Sequence, residues 1–124
     1  MQDSVTVYKV VRKSSEGKLL SDVVAPPLQR TYVVGRWHRG YKGTPLLAFG
    51  SQEAAMRFAR WGHDSCVVFV AEAENVKRIT WVSIYYDSPR EVLAFWSNHG
   101  ETMAAPLGTV SCRRLKLVEE VHEG

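Results

Sequence analysis

The sequence predicts an α+β domain in which a largely antiparallel, curled sheet of about six to seven strands packs against two short helices. Residues 4–13, SVTVYKVVRK, alternate as a half-buried strand does. Residues 44–74 have the pattern of a strand, a helix and a second strand. At 124 residues, the chain is the size of one domain, spanning residues 1–124. Because strand segments outnumber helical ones, in the order ββββαββαβ, we expect antiparallel pairing.

The first half of the chain predicts a hairpin followed by a third strand. Residues 14–17, Ser-Ser-Glu-Gly, have turn chemistry, and residues 18–24 would return as the second arm. Pro26 and Pro27 would end that arm, since proline donates no ladder hydrogen bond. Residues 30–37, RTYVVGRW, predict a strand with a bulge at Gly35.

The segment 44–74 is the best specified stretch. Residues 46–49 predict a short buried strand, and Ser51 and Glu53 suit the first turn of a helix. Gly62 is suited to the left-handed stop. Residues 66–73 form a nearly continuous apolar run, which is typical of a central strand covered on both faces. The expected inward stripe of the helix is Ala54, Ala55, Phe58 and Trp61.

The second half predicts a strand, a helix and a closing strand. Residues 77–86 are rich in β-branched and aromatic side chains. Ser88 and Glu91 match a capping box, with Pro89 at the first helical position. Residues 110–118 would form the closing strand.

Composition indicates a soluble, cytoplasmic protein. No apolar run reaches the roughly 18 residues of a membrane span. With only Cys66 and Cys112, a disulfide framework is not expected, and both cysteines are interpreted as buried thiols. The four histidines show no metal-ligand spacing, and neither a phosphate loop nor a dinucleotide fingerprint is present. No metal or cofactor is therefore predicted.

Charge is distributed unevenly along the chain. The formal net charge is +3, but residues 1–60 hold ten lysines and arginines against four acids, and residues 61–124 hold six against nine. Residues 23–52 contain no acid at all. Such asymmetry is typical of a basic face for an anionic partner, or of a surface that packs against a second copy.

Basic and aromatic residues interleave in one part of the acid-free segment, and we predict a ligand or partner surface there. Cations suit phosphates and rings suit stacked bases, so single-stranded nucleic acid is one candidate partner. The simpler interpretation places Tyr32 and Trp37 in the core, with solvated arginines beside them. The surface would consist of Arg30, Tyr32, Arg36, Trp37, His38, Arg39, Tyr41 and Lys42.

Signals for catalysis are weak. No nucleophile elbow or cysteine signature occurs. Glu72 and Glu74 could form a carboxylate pair for acid–base chemistry, although exposed carboxylates at the end of a strand are the simpler interpretation. No catalytic residue is assigned.

Several segments resemble a loose group of small uncharacterised domains found in phages, giant viruses and bacterial mobile elements, sometimes attached to pentapeptide repeats. The segments are VYKVVRK, GKLLSDVV, YVVGRW, LLAFGSQEAAMRFA, CVVFVAEAENVKRI and GTVSCRRLKLVEEV. The resemblance implies a fold and a mobile-element origin, and no activity.

The rhythm of a helix followed by a valine-rich strand also resembles small ADP-ribosyltransferase-type domains. Those enzymes use a His or Arg on the first strand, a Tyr or Ser-Thr-Ser element and a late Glu. Here the first strand has Lys9 and Arg12, and Tyr32 lies on a later strand. Ser-Thr-Ser is absent, and no late Glu corresponds.

The function predicted from these observations is a small binding or interaction module for a protein or a small anionic ligand, with a homodimer as one possible assembly. The alternatives are a divergent ADP-ribosyltransferase-like enzyme and a single-stranded nucleic acid binder acting through residues 30–42.

Overall fold

The computed structural model describes residues 4–21, 29–61, 65–83, 89–97 and 101–122. Within them the chain forms an α+β fold, as predicted, with a mostly antiparallel sheet and two helices. The helices are α1 (Gln52–Trp61) and α2 (Pro89–Trp96). The strands are β1 (Ser4–Lys13), β2 (Leu19–Ser21), β3 (Thr31–Tyr32), β4 (Trp37–Arg39), β5 (Leu46–Phe49), β6 (Cys66–Glu74), β7 (Lys77–Arg78), β8 (Trp81–Ser83), β9 (Thr102–Ala104), β10 (Thr109–Cys112) and β11 (Arg114–Glu120).

The sheet is built around the long antiparallel pair β1 and β6. Their register runs from Ser4 opposite Glu74 to Arg12 opposite Cys66. The main sheet has the order β4-β11-β6-β1-β5-β10-β7, with β2 added to β1 and β3 added to β2, while β8 and β9 form a separate pair. The predicted turn at residues 14–17 joins β1 to β2, with Gly17 at φ +82.

The sheet curls because one residue connects strands that lie far apart in it. β10 ends at Cys112 and β11 begins at Arg114, yet β6, β1 and β5 lie between them in the sheet order. Four strand spacings in a flat sheet would separate β10 from β11 by about 19 Å. Two residues of extended chain reach only about 7 Å. The sheet therefore bends back on itself, although it does not close.

The inside of the curl holds the main core. Alternation places Val7 and Val11 of β1 on this face, with Leu115 and Leu117 of β11, all at most 1% exposed. Alanines of β6 fill the space between these larger side chains. Each core leucine of β11 thus lies opposite an alanine of β6, Leu115 opposite Ala73 and Leu117 opposite Ala71.

Helix α1 packs against the sheet, as predicted, and the structure places it on part of the outer face. Ser51 Oγ accepts a hydrogen bond from the Ala54 amide at 3.2 Å, so this residue is the helix cap. Ala55 is fully buried and contributes to a second core with Val10, Phe49 and Val68. The helix therefore packs on the face of β1 opposite to Val7 and Val11.

Three predicted strands are each divided in the structure, so the predicted strand count and order were wrong in detail. The predicted strand 30–37 is two short strands, β3 and β4. The turn between them has Gly35 at φ +87, where a residue with a side chain is strained, and the Arg36 amide donates to the Val33 carbonyl at 3.1 Å. Gly35 thus marks a turn and not a bulge.

The other two divided strands change pairing partners. Segment 77–86 gives β7, which pairs with β10, and β8, which pairs with β9. Segment 110–118 is divided at Arg113 into β10 and β11. Strand β9 was not predicted. Sequence periodicity shows which residues are extended, whereas the choice of partner depends on distant residues.

Some predictions fall on residues outside the described ranges. These are the stop at Pro26 and Pro27, the helix end at Gly62 and the cap at Ser88. Within the described ranges, no helix is long and apolar enough to cross a membrane.

Candidate functional site

The neighbours of β1 diverge next to Lys9. On the side away from β6, β1 pairs with β5 at Tyr8 opposite Phe49, and then with β2 from Val11 opposite Ser21. The two partners thus separate around Lys9 and Val10. A fork of this kind opens a gap in the sheet, where side chains of both faces meet, such as Lys9 from the inner face and Val10 from the outer face.

A cleft of about 420 Å³ lies at this fork. Helix α2 and the β8–β9 pair contribute to its wall, together with β5 and the loop that follows β4. Its few polar members are Lys9, Ser21, Tyr32, Tyr41, Thr44 and Thr109. The apolar lining comprises Val10, Pro45, Leu46, Leu47, Ala48, Phe49, Phe58, Val82, Val92, Phe95, Trp96, Met103 and Pro106.

Lys9 is the charged side chain in the described lining. It is half-buried, and its Nζ donates to the Leu47 carbonyl oxygen at 2.5 Å. The same Nζ lies 5.8 Å from the centroid of the Tyr32 ring, within the range of a cation–π contact. Among the described residues, no carboxylate forms an ion pair with Lys9.

Tyr32 lies beside Lys9 and is 3% exposed. Its ring packs edge-on against His38, with 5.0 Å between the centroids. His38 Nε2 lies 3.0 Å from the Val33 amide nitrogen and 3.4 Å from the Val33 carbonyl oxygen, so the backbone of Val33 holds the imidazole beside Tyr32. The Tyr32 hydroxyl is buried and has no hydrogen-bond partner in the part of the chain that the structure describes.

Cys112 is a buried thiol, as predicted, with 1% of its surface exposed. Burial raises its pKa to about 11, and the positive charge of Lys9 opposes that rise. The residue is therefore a protonated thiol at neutral pH and is not a nucleophile there. Cys66 is only half-buried.

The eight residues of the predicted surface do not come together on one face. Tyr32 and His38 lie on the inner side, and Tyr41 lines the cleft. Trp37 faces the outer side, where Arg114 Cζ lies 4.2 Å and Lys116 Nζ 5.0 Å from its ring centroid. The remaining four are basic, and of these Arg30 is half-buried while Arg36, Arg39 and Lys42 are exposed.

The carboxylates suggested for acid–base chemistry are held in ion pairs. Lys116 Nζ lies 3.2 Å from Glu72 Oε2. Arg114 binds Glu74 through two contacts, Nε to Oε1 at 2.6 Å and Nη2 to Oε2 at 2.7 Å. These hydrogen bonds hold the pKa of Glu74 below its ordinary value. The pairs tie β6 to β11, which is a structural role.

We predict that the Glu74–Arg114 pair makes stability depend on acid pH. A lowered pKa in the folded state means that the pair's contribution is complete above the unfolded glutamate pKa, near 4.5. It is lost as pH falls through the folded value. Urea unfolding across this range is expected to show a smaller loss of stability in Glu74→Gln than in the native chain.

A matched control for this experiment is Glu53→Gln. Glu53 pairs with Arg57 at 3.0 Å, but its side chain is 82% exposed. This variant is expected to follow the native pH curve, because exposed pairs contribute little. Identical pH curves for Glu74→Gln and the native chain would contradict the assignment.

No protein-family model, curated protein or solved structure matches this chain. In the described ranges, no group of three or more His, Cys, Asp or Glu side chains could hold a metal ion.

Sequence reasoning missed Lys9 and most of the cleft. One signal was available: Lys9 occupies the core-facing phase of β1, between Val7 and Val11. A lysine on an apolar strand face is rarely buried without a partner. The rest of the lining comes from segments far apart in sequence, so no local pattern could assemble it.

Proposed function

We propose that this domain is a binding module for a small molecule, and that the ligand lies in the cleft between the forked sheet and α2. The observation that carries the proposal is the cleft itself. Its volume of about 420 Å³ falls within the roughly 300–1,000 Å³ usual for ligand sites. Apolar walls with a few polar groups are also typical of such sites.

The serine and threonine hydroxyls of the lining form hydrogen bonds with backbone groups, and this favours binding over catalysis. Ser21 Oγ accepts from the Arg30 amide at 2.8 Å. Thr44 Oγ1 donates to the Tyr41 carbonyl at 2.7 Å, and Thr109 Oγ1 donates to the Pro106 carbonyl at 2.5 Å. These side chains hold the loops around the cleft, which leaves them poorly suited to act as nucleophiles.

Aromatic side chains of α2 supply a firm apolar wall. Phe95 and Trp96 pack edge-on with 4.7 Å between their centroids, and both line the cleft. Rings bury much apolar area with little loss of conformational entropy, so they suit the recognition of an apolar ligand. Trp96 also provides a fluorescent reporter inside the site.

The test uses Nile red, a neutral dye that fluoresces in apolar sites. We expect saturable binding at one site, accompanied by a change in tryptophan fluorescence. Met103 lines the cleft and is 36% exposed, so Met103→Trp is expected to fill part of the space and weaken binding by about tenfold or more.

The matched control for the dye experiment is Val118→Trp. Val118 is apolar and 44% exposed, and it does not line the cleft. Its substitution is expected to leave dye affinity unchanged. The proposal fails if the native chain shows no saturable binding, or if both substitutions weaken binding equally.

A further inference from the structure

We infer that the ligand of the cleft is an amphipathic monocarboxylate, whose carboxylate binds Lys9 while its apolar part lies between β5 and α2. The inference rests on the proposed function, since it names the chemical class of the molecule in the same cleft. Three observations support it. Lys9 and Tyr32 have hydrogen-bond donors without an acceptor among the described residues, Lys9 is the single charged residue of the described lining, and the walls are apolar.

The ammonium of Lys9 has hydrogen-bonding capacity to spare. It carries three donors, and one of them is directed to the Leu47 carbonyl. In the described residues no carboxylate pairs with it, although it is half-buried. Removing an ammonium from water is unfavourable unless an anion compensates for it. A carboxylate arriving through the cleft would provide that compensation.

Tyr32 adds a second unsatisfied donor to the lining of the same cleft. Its hydroxyl is buried and has no partner among the described residues, and Lys9 Nζ lies 5.8 Å from the centroid of its ring. A buried donor without an acceptor loses free energy relative to water. A carboxylate has two oxygens and accepts several hydrogen bonds, so it matches a site with more than one free donor.

The charge of the lining selects a monoanion. Lys9 is the charged residue of the described lining, and its single ammonium balances one negative charge, whereas a polyanion such as a nucleotide would leave further charges uncompensated against the apolar walls. The hydroxyls of Ser21, Thr44 and Thr109 are engaged with backbone groups, which disfavours a sugar. The remaining walls are apolar and suit an alkyl or aryl body.

The experiment compares decanoate with decanamide, which have similar shape and differ in charge. Titration calorimetry and tryptophan fluorescence on the native chain are expected to show tighter binding of decanoate, by about tenfold to hundredfold. Lys9→Met is expected to abolish the preference. Lys13→Met, the same change at an exposed position of the same strand, is expected to retain it.

The results distinguish an error in the ligand class from an error in the proposed small-molecule function. Equal affinity of the native chain for decanoate and decanamide overturns the inference, and this comparison requires no variant to fold. Retention of the decanoate preference in Lys9→Met overturns it as well. If Nile red binds in either case, the small-molecule function stands and only the ligand class is wrong. If Nile red does not bind, the proposed function fails too.

Discussion

Leu115→Ala is expected to lower the free energy of unfolding by about 2–5 kcal/mol. Leu115 is completely buried and is the first core-facing residue after the corner at Arg113. It lies opposite Ala73 on one neighbouring strand and His38 on the other. Since Ala73 is small and sits on a strand paired along its whole length, the sheet has little freedom to collapse into the cavity. The loss would be a large share of the roughly 5–15 kcal/mol that stabilises a typical domain.

The control is a substitution to alanine at an exposed position of the same strand. It reports the effect of strand propensity on stability without the effect of burial. Val118 is 44% exposed, so Val118→Ala is expected to change stability by about 0.5 kcal/mol or less. Urea unfolding followed by circular dichroism measures both variants, with an unchanged dependence on urea as the sign of a two-state comparison. Similar losses for both would show that the inner face of β11 is not the core.

Gly40→Ala is expected to destabilise the loop beside the cleft by about 1–3 kcal/mol or more. The backbone of Gly40 is extended, with φ −73, so conformation alone would allow alanine. A Cβ placed there would lie 2.1 Å from the Thr44 carbonyl oxygen, a backbone atom that cannot rotate away. The loop would have to move, and with it the cleft residues Tyr41, Thr44 and Pro45. We therefore expect Nile red binding to weaken together with thermal stability.

Gly43→Ala is the control for this effect. Gly43 lies in the same loop at φ +78, but a Cβ there would meet nothing within 4 Å. Its cost is limited to backbone strain, about 1–2 kcal/mol. Dye affinity should then change more in Gly40→Ala than in Gly43→Ala. An unaltered cleft in Gly40→Ala, measured by the dye, would contradict the assigned role of the close approach between Gly40 and Thr44.

The segment 44–74 shows what local pattern can predict. A strand over residues 46–49, a helix capped by Ser51 and a central strand over residues 66–73 were predicted. The structure confirms them as Leu46–Phe49, Gln52–Trp61 and Cys66–Glu74. Each depends on neighbours within a few residues: a capping hydroxyl, a helical stripe or an apolar run. Such signals agree with one another here and are sufficient to define the elements.

The predicted surface of residues 30–42 shows what a local sequence pattern cannot predict. Interleaved cations and rings say nothing about which strand lies alongside. In the structure, Arg114 and Lys116 of β11 lie over the Trp37 ring, and His38 turns inward to Tyr32. Binding of single-stranded nucleic acid through this segment stays a prediction, as does ADP-ribosyltransferase-like activity. Replacing Arg36 and Arg39 with Glu would test the first by loss of salt-dependent binding.

The sequence by itself determined the α+β class, the hairpin turn before β2 and the strand–helix–strand unit around α1. All of these follow from periodicity, capping and turn chemistry within short stretches of chain. Only the tertiary structure decided the sharp connection at Arg113 between β10 and β11, the division of three predicted strands and the fork beside Lys9. These depend on which distant strands pair. The Lys9 side chain therefore looks like an ordinary strand residue in the sequence, and it becomes the polar end of a cleft only when β2 and β5 diverge around it.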